Sequence, residues 1–265
     1  MDATKLFDDA LKYPTKDWNK LLILGVLLLI AGIYSVLRNF GFLKTGDITT
    51  GLITLIFSLI AIIFTLFVSG YCLNITRKTI NLEEYIPEFE LVKNFVDGLK
   101  VLVLGIVYMI IPIVVTVIFV IFAGTFAFIT QASSYITNYG TSTIPQLPPF
   151  YVILSFLILL LIVSIFYIIF ILLLNIATAK LAETDSLAEA INMLGIFNKI
   201  GEIGWGNYAI WIIVYGFISF VILIIMSIIN LIPFIGIIVG LLLISPYMQM
   251  FRSRALGLLY NESKQ

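Results

Sequence analysis

Long runs without a charged side chain dominate this sequence. They cover residues 21–37, 48–76, 101–179 and 203–251, and each is rich in Leu, Ile, Val and Phe. One helix needs roughly 20 apolar residues to cross the hydrocarbon core of a membrane. The first two runs therefore have room for one transmembrane helix each, and the longer two have room for two helices each.

The two longest runs contain breaks that divide them. Residues 131–150 are rich in Ser, Thr, Asn and Tyr and end with three prolines, and residues 230–236 contain Asn, Pro and Gly. Such residues favour turns and interrupt helices. The pattern therefore predicts six spans, at about 20–37, 50–72, 101–129, 150–179, 208–229 and 235–252.

A short amphipathic stretch precedes each odd-numbered span. These stretches cover residues 6–11, 91–102 and 187–194, and the third begins with a capping-box pattern formed by Ser186 and Glu189. Amphipathic helices of this kind usually lie in the plane of the membrane surface. The sequence thus predicts a surface helix followed by a transmembrane hairpin, three times over.

The second amphipathic stretch makes the most specific prediction. Leu91, Phe95 and Leu99 recur at helical spacing, and polar residues such as Asn94 and Asp97 lie on the opposite side. We expect the apolar stripe to be buried against lipid headgroups or the ends of the spans. We expect Asn94 and Asp97 to face water.

Together these patterns predict an all-α fold, a polytopic transmembrane bundle of six helices in three hairpins, each preceded by a cytoplasmic amphipathic helix. We expect one domain over residues 1–265. Within it, residues 1–19 form an interfacial segment and residues 257–265 form a short cytoplasmic tail.

The distribution of basic residues predicts the orientation. In a membrane protein, Lys and Arg are enriched in the cytoplasmic loops. Only Arg38 and Lys44 fall on one predicted face, and thirteen basic residues fall on the other. Those thirteen are Lys5, Lys12, Lys16, Lys20, Arg77, Lys78, Lys93, Lys100, Lys180, Lys199, Arg252, Arg254 and Lys264. Both termini are therefore expected in the cytoplasm, and the location is the cell membrane.

Side chains near the predicted span ends should anchor the protein at the interface, where Trp, Lys and Arg are favoured. The predicted anchors are Trp18, Lys20, Arg38, Arg252 and Arg254.

Composition excludes several classes of protein. The chain is 61% hydrophobic and only 11% charged, whereas a soluble domain is about one quarter charged. Such a chain could not cover its surface in water, and it is too apolar to be disordered. The 15 basic and 15 acidic residues cancel, so nucleic acid is not an expected partner.

The common catalytic groups are absent from the sequence. There is no His, so a Ser-His-Asp triad and a His metal site are excluded. The single Cys72 lies among apolar residues, where we expect an inert thiol. We predict no catalytic residue, no cofactor and no metal site.

One acidic cluster leaves two readings open. Glu83, Glu84, Glu88 and Glu90 could bind a divalent cation through their oxygen atoms. Alternatively, they form a solvated loop opposite nearby Lys and Arg side chains. We favour the solvated loop because the spacing of a known cation-binding loop is not present.

Transport would require polar groups at membrane depth. The predicted spans contain no Asp, Glu or Lys in their interiors, which argues against proton coupling. A passive path for a lipid or a neutral solute remains open. A cavity lined by Tyr108, Tyr167 and Tyr215 would favour it.

Two stretches resemble a known family. They are Ala10-Leu11-Lys12-Tyr13-Pro14 with Asp17-Trp18, and Pro87-Glu88-Phe89 followed by Phe95-Val96-Asp97-Gly98-Leu99-Lys100. The positions that carry the resemblance are Tyr13, Pro14, Asp17, Pro87, Phe89, Phe95, Asp97 and Gly98. They are similar to those of an uncharacterised family of archaeal integral membrane proteins, domain of unknown function 4013. The resemblance implies an archaeal plasma membrane and supplies no functional residues.

The sequence therefore predicts an integral membrane protein that is not an enzyme. We expect it to act by helix packing and by contact with membrane lipids or with a protein partner at its amphipathic helices. A homo-oligomer stays open. The alternatives are a channel or transporter-like protein for lipids or neutral solutes and, with less support, a lipid-modifying membrane enzyme.

Overall fold

The computed structural model describes residues 2–41, 48–137, 150–232 and 235–262. Within these ranges every regular element is a helix. Most of the predicted loop between the third and fourth spans, with its three prolines, lies outside the described residues. Pro233, in the predicted turn between the last two spans, lies outside them as well.

The helices follow one another with short connections. They are α1 (Ala3–Lys12), α2 (Trp18–Ala31), α3 (Ile33–Asn39), α4 (Ile48–Ile80), α5 (Leu91–Thr137), α6 (Phe150–Thr184), α7 (Leu187–Ile191), α8 (Met193–Ile203), α9 (Trp205–Ile229), α10 (Ile235–Val239) and α11 (Ser245–Asn261). A 3₁₀ turn, Tyr13–Lys16, follows α1, and a π-helical turn, Gly240–Ile244, joins α10 to α11.

Several helices are long and apolar enough to cross a membrane, which indicates a multi-pass membrane protein. The described residues contain five such segments: Gly51–Ile80, Leu91–Phe122, Phe156–Thr184, Trp205–Ile229 and Ile235–Asn261. The first predicted span, residues 20–37, is divided at Gly32 into α2 and α3. A sixth span therefore stays a prediction.

The second amphipathic stretch is not a separate surface helix, which corrects the prediction. Helix α5 begins at Leu91 and runs without interruption through the predicted third span. Gly98 lies inside this helix. The third predicted span thus begins ten residues earlier than expected.

The predicted orientation of that stretch is also wrong. Asn94 is fully buried and Asp97 is 3% exposed, whereas Leu91 and Val92 are largely exposed. In a membrane, apolar side chains can meet lipid, and contacts between helices favour small and polar residues. The polar face of α5 is therefore the face that packs against the protein.

The other two amphipathic stretches do form short separate helices. Asp2 caps α1 through the amide of Lys5, and α1 buries Leu6, Phe7 and Ala10. At the third stretch, the Ser186 side chain accepts a hydrogen bond from the amide of Glu189, which confirms the predicted cap. These residues lie in two helices, α7 and α8.

The chain divides into two compact units. The first comprises Met1–Leu104 and Asn175–Gln265, and the second comprises Gly105–Leu174. In the first unit, helix α11 continues to Asn261 and buries Leu259 and Tyr260, so residues 257–261 are packed. The core cluster of this unit contains Tyr13, Leu21, Leu24, Val68, Tyr71, Ile75, Ile86 and Met250.

Helices α4 and α5 touch through their backbones at two glycines. A Cβ atom added to Gly70 would overlap the backbone of Asn94, and one added to Gly98 would overlap the backbone of Leu66. Small residues permit such close approach between membrane helices. This contact places the polar face of α5 directly against α4.

The glycine contact can be tested by alanine substitution. We expect Gly70→Ala and Gly98→Ala each to lower the free energy of unfolding by about 1–3 kcal/mol, because overpacking forces two backbones apart. The measurement is denaturant titration of the purified protein in detergent micelles.

Each variant has a matched control in its own helix. An added Cβ meets nothing within 4 Å at Gly51 of α4 or at Gly105 of α5. Gly51→Ala and Gly105→Ala should therefore leave stability unchanged or raise it by about 0.5 kcal/mol. Equal effects at all four positions would contradict the close approach of α4 and α5.

Candidate functional site

An ion-pair network joins α4, α5 and the residue that follows α6. The Arg77 guanidinium donates from Nη1 to Asp97 Oδ2 at 2.7 Å and from Nη2 to Asp185 Oδ1 at 2.8 Å. Lys100 Nζ donates to the same Asp185 oxygen, also at 2.8 Å. We call these four residues the Arg77 network.

Local structure explains how the members of this network come together. Arg77 lies in the last turn of α4, where a cation interacts favourably with the helix dipole. Asp97 and Lys100 are three residues apart on α5 and therefore share a face. Asp185 directly follows α6 and has a left-handed backbone, with φ 57°, a region that Asp tolerates better than most residues.

The charges around Asp185 favour its ionised form. The hydrogen bond from Lys100 and the positive charge of Arg77 hold the pKa of Asp185 below its ordinary value of 3.8, against the opposing effect of partial burial. Its carboxylate is more than half exposed, whereas that of Asp97 is almost fully buried.

A surface cleft of about 600 Å³ opens beside the Arg77 network. The network residues form its polar wall, and Glu90 and Lys93 extend that wall. Leu91, Val92 and Val96 form an apolar wall. The cleft therefore combines cationic, anionic and apolar surfaces.

A second polar centre surrounds Arg254, which is 5% exposed. Its Nε donates to Asp9 Oδ2 at 2.7 Å and its Nη1 donates to the carbonyl oxygen of Glu83 at 2.8 Å. The guanidinium also lies 4.9 Å from the centre of the Tyr13 ring. Arg254 thus joins α1, the loop after α4, and α11.

Tyr13 completes the Arg254 centre. Its hydroxyl donates to the carbonyl oxygen of Tyr85 at 3.2 Å. Burial raises the pKa of Tyr13, against the opposing effect of the Arg254 charge, so the phenol remains neutral at physiological pH.

The other predicted anchors lie in different surroundings. Trp18 is 57% exposed, and Arg38 and Arg252 are exposed as well. Lys20 is largely covered, because it pairs with Glu88 at 2.8 Å and donates to the carbonyl oxygen of Ile86 at 2.7 Å.

Most of the positions that carry the family resemblance have packing roles. The Tyr71 hydroxyl donates to the carbonyl oxygen of Pro87 at 3.0 Å, and the ring of Phe89 lies 5.6 Å from that of Tyr71. Phe95 packs against Phe67, with 5.4 Å between ring centres. These residues therefore fix the loop after α4 against the helix itself.

Two of the positions that carry the family resemblance lie between α1 and the start of α2. Pro14 is buried in the 3₁₀ turn that ends α1. Asp17 caps α2, because its side chain accepts hydrogen bonds from the amides of Asn19 and Lys20.

Lysines pair with three glutamates of the loop after α4, one of which is Glu88 with Lys20, as described above. Glu83 pairs with Lys78 at 2.8 Å, and Glu90 pairs with Lys93 at 3.4 Å. The hydrogen bond from Lys78 lowers the pKa of Glu83. Within the described residues, no group of three or more His, Cys, Asp or Glu residues could hold a metal ion.

The three tyrosines proposed to line a transport path are placed differently. Tyr215 stacks on Trp211, with 5.2 Å between ring centres and an angle of 3°, and lies 5.9 Å from Phe251. Tyr108 is fully buried and Tyr167 is half-buried. Tyr215 therefore belongs to an aromatic stack in the first unit.

A family model described as protein of unknown function, DUF4013, matches residues 53–231, about two thirds of the chain. The chain belongs to the DUF4013 family. No curated protein and no solved structure matches it. The DUF4013 match includes the whole Arg77 network but not Tyr13, Pro14 or Asp17.

Sequence reasoning found Asp97 as a DUF4013-like position but missed its partners. The sequence analysis places Arg77 only among the thirteen basic residues of the predicted cytoplasmic face, and no sequence pattern singles out Asp185. One signal was available: Asn94, Asp97 and Gly98 follow the spacing of a single helix face beside an apolar span. In a membrane protein, such a face is expected to turn toward the other helices.

The buried pair of the Arg77 network should stabilise the fold. We expect Asp97→Asn to lower the free energy of unfolding by about 3 kcal/mol, because it leaves a guanidinium without its buried partner. Denaturant titration in micelles measures this loss.

The exposed pair between Glu90 and Lys93 provides the matched control. Glu90→Gln should cost less than about 1 kcal/mol, because an exposed ion pair contributes little. If Asp97→Asn and Glu90→Gln have equal effects, the buried pair is not a stabilising element.

The lowered pKa of Asp185 predicts a dependence of stability on pH. A carboxylate with a lowered folded pKa contributes stability above its unfolded pKa, and this contribution is lost as pH falls through the folded pKa. The melting temperature of the unmodified protein should therefore drop between about pH 5 and pH 3, and Asp185→Asn should make this drop less steep. If the melting temperatures of the two proteins fall equally steeply with pH, the role of Asp185 is contradicted.

Proposed function

We propose that this protein is a non-enzymatic, multi-pass protein of the cell membrane. Both of its termini lie in the cytoplasm. It acts at its charged cytoplasmic end, through contacts with membrane lipids or with a protein partner.

One observation carries this proposal: the packed and charged parts of the first unit lie at the ends of its long helices. None of the most apolar stretch of α9 is buried, and little of the corresponding stretch of α4 is buried. Exposed apolar helices are stable where lipid surrounds them. The packed and ion-paired side chains that could bind a lipid or a protein partner therefore lie at the charged ends of the helices.

The contacts of Arg254 support six spans and a common cytoplasmic side. Asp9 precedes the first predicted span, Glu83 follows the second, and Arg254 follows the sixth. Arg254 bonds to both Asp9 and Glu83, so all three lie on the same side of the membrane. An even number of crossings must therefore separate each of them from the next. Five crossings would place Asp9 and Arg254 on opposite sides of the membrane.

Helices α2 and α3 supply the additional crossing. The Gly32 amide donates to the carbonyl oxygen of Leu28 at 2.8 Å, and the Val36 amide donates to the carbonyl oxygen of Gly32 at 3.1 Å. The helical hydrogen bonds therefore continue across the boundary between α2 and α3. Residues 18–39 then span about 33 Å, enough for the hydrocarbon core. Together with the five longer helices, this crossing forms three hairpins.

The contacts of the loop glutamates and of Tyr215 support a non-enzymatic role over the two alternatives. The paired glutamates have no arrangement suited to a divalent cation. The stacked ring of Tyr215 is engaged in packing. Neither observation favours a lipid-modifying enzyme or a transport path.

The topology can be tested by labelling single cysteines in intact cells. In a Cys72→Ser background, a membrane-impermeant maleimide should label Leu231→Cys, in the external turn between the last two spans. It should not label Asp8→Cys or Glu84→Cys, which lie on the proposed cytoplasmic side. All three should react after the membrane is permeabilised.

Two results would contradict this topology. Labelling of Asp8→Cys from outside, with Glu84→Cys protected, would show that α2 and α3 do not cross the membrane. Labelling of Glu84→Cys from outside would overturn the proposed orientation.

The absence of enzymatic activity has its own test. Purified protein incubated with native lipid extract and Mg²⁺ should yield no new lipid species by mass spectrometry. A product that forms with the unmodified protein and disappears when Glu83, Glu84, Glu88 and Glu90 are all replaced by Gln would overturn the non-enzymatic role.

A further inference from the structure

The cleft beside the Arg77 network has the parts of an anion site. Arg77 Nη2 and Lys100 Nζ both donate to one oxygen, Oδ1 of Asp185, at 2.8 Å each. A guanidinium and an ammonium that converge on one anionic oxygen are well suited to a phosphate group. Lys93, 43% exposed, lines the same cleft and adds a third cation.

The anion that occupies this position belongs to the chain itself. The Asp185 carboxylate bonds to Arg77 and Lys100, and its side chain is 59% exposed. Arg77 keeps a separate, buried bond to Asp97 through Nη1. An external anion could therefore replace the Asp185 carboxylate without breaking the buried pair.

The apolar wall of the cleft indicates what kind of molecule carries that anion. Val92 is 80% exposed, and the exposed surface continues along α5 through Val96, Leu99 and Val103. This surface leads from the cations toward the apolar part of the span. A molecule with a phosphate beside Lys100 and a hydrocarbon chain along α5 would cover both walls.

We propose that this cleft binds the phosphate headgroup of an anionic phospholipid, with Arg77, Lys93 and Lys100 as its cations. Asp185 is an internal anion that the headgroup displaces. This inference deepens the proposed function and rests on it, because it requires the cleft to lie at the cytoplasmic membrane surface. Free phosphate shares the anionic chemistry but has no group for the apolar wall.

Variants of opposite sign distinguish this site from a structural ion-pair network. Asp185→Asn removes the competing anion and should tighten lipid binding, and Asn tolerates the left-handed backbone at this position as well as Asp does. Lys93→Gln and Lys100→Gln each remove a cation and should weaken binding about fivefold, the usual contribution of one basic residue near an anionic membrane. A purely structural network would not give a gain in one direction and losses in the other.

The experiment is native mass spectrometry of the delipidated full-length protein in a neutral detergent, titrated with short-chain phosphatidylglycerol. Parallel titrations use short-chain phosphatidylcholine and inorganic phosphate. We expect saturable binding of phosphatidylglycerol, weaker binding of phosphatidylcholine and no competition by equimolar phosphate. Lys5→Gln is the matched control, because Lys5 is 87% exposed, lies in α1 and does not line the cleft. This variant should bind phosphatidylglycerol as the unmodified protein does.

Several results would overturn the proposal. Equal affinity for the two lipids would exclude recognition of the net negative charge. Competition by equimolar phosphate would assign the site to free phosphate. Unchanged binding in all three cleft variants would place the lipid elsewhere. If Lys100→Gln fails to fold, the exposed Lys93→Gln together with Asp185→Asn still decides the outcome.

Failure of this proposal is separable from failure of the proposed function. Cysteine labelling that fits the six-span topology, together with absent lipid selectivity, would reject only the headgroup site. Labelling of Glu84→Cys from outside would reject the proposed function, and with it the position of the cleft at the cytoplasmic surface.

Discussion

The architecture of the first unit depends on a buried arginine. Arg254 is bonded to a carboxylate on α1 and to a carbonyl oxygen in the loop after α4, and its guanidinium covers an aromatic ring. Taking a charge out of water carries a large desolvation cost, which is offset only when its donors are satisfied. The three segments must therefore meet in one arrangement. That constraint fixes α1, the loop after α4 and α11 against one another, while the most apolar stretches of α4 and α9 stay largely unburied.

The Arg77 network also joins several segments through an arginine, but the Arg77 side chain is less buried than that of Arg254. Its inner pair, between Arg77 and Asp97, is shielded, and its outer carboxylate at Asp185 meets solvent. The close contact of α4 and α5 at Gly70 and Gly98 makes the inner pair possible, because it brings the polar face of α5 against α4. One side of the network thus stabilises the helix pair, while the other side remains available to a ligand.

The sequence predicted the helical class and most of the spans, because membrane crossing requires long uncharged segments. It did not predict which face of α5 is buried, since the rule for surface helices assigns apolar side chains to the protein and polar ones to water. Inside a membrane protein that assignment reverses, as Asn94 and Val92 illustrate. The pairing of Arg77 with Asp185 and of Arg254 with Asp9 was also out of reach, because these partners lie 108 and 245 residues away along the chain.

The separation of Asp9 and Arg254 has a consequence for biosynthesis. With 245 residues between them, synthesis at about 5–20 residues per second delays Arg254 by roughly 10–50 seconds after Asp9 emerges. Helix α1 must spend that interval without its final partner, and Phe7 is not yet packed against Phe251. Synthesis of α11 thus completes the packing of α1, which must wait until then for the ion pair between Asp9 and Arg254.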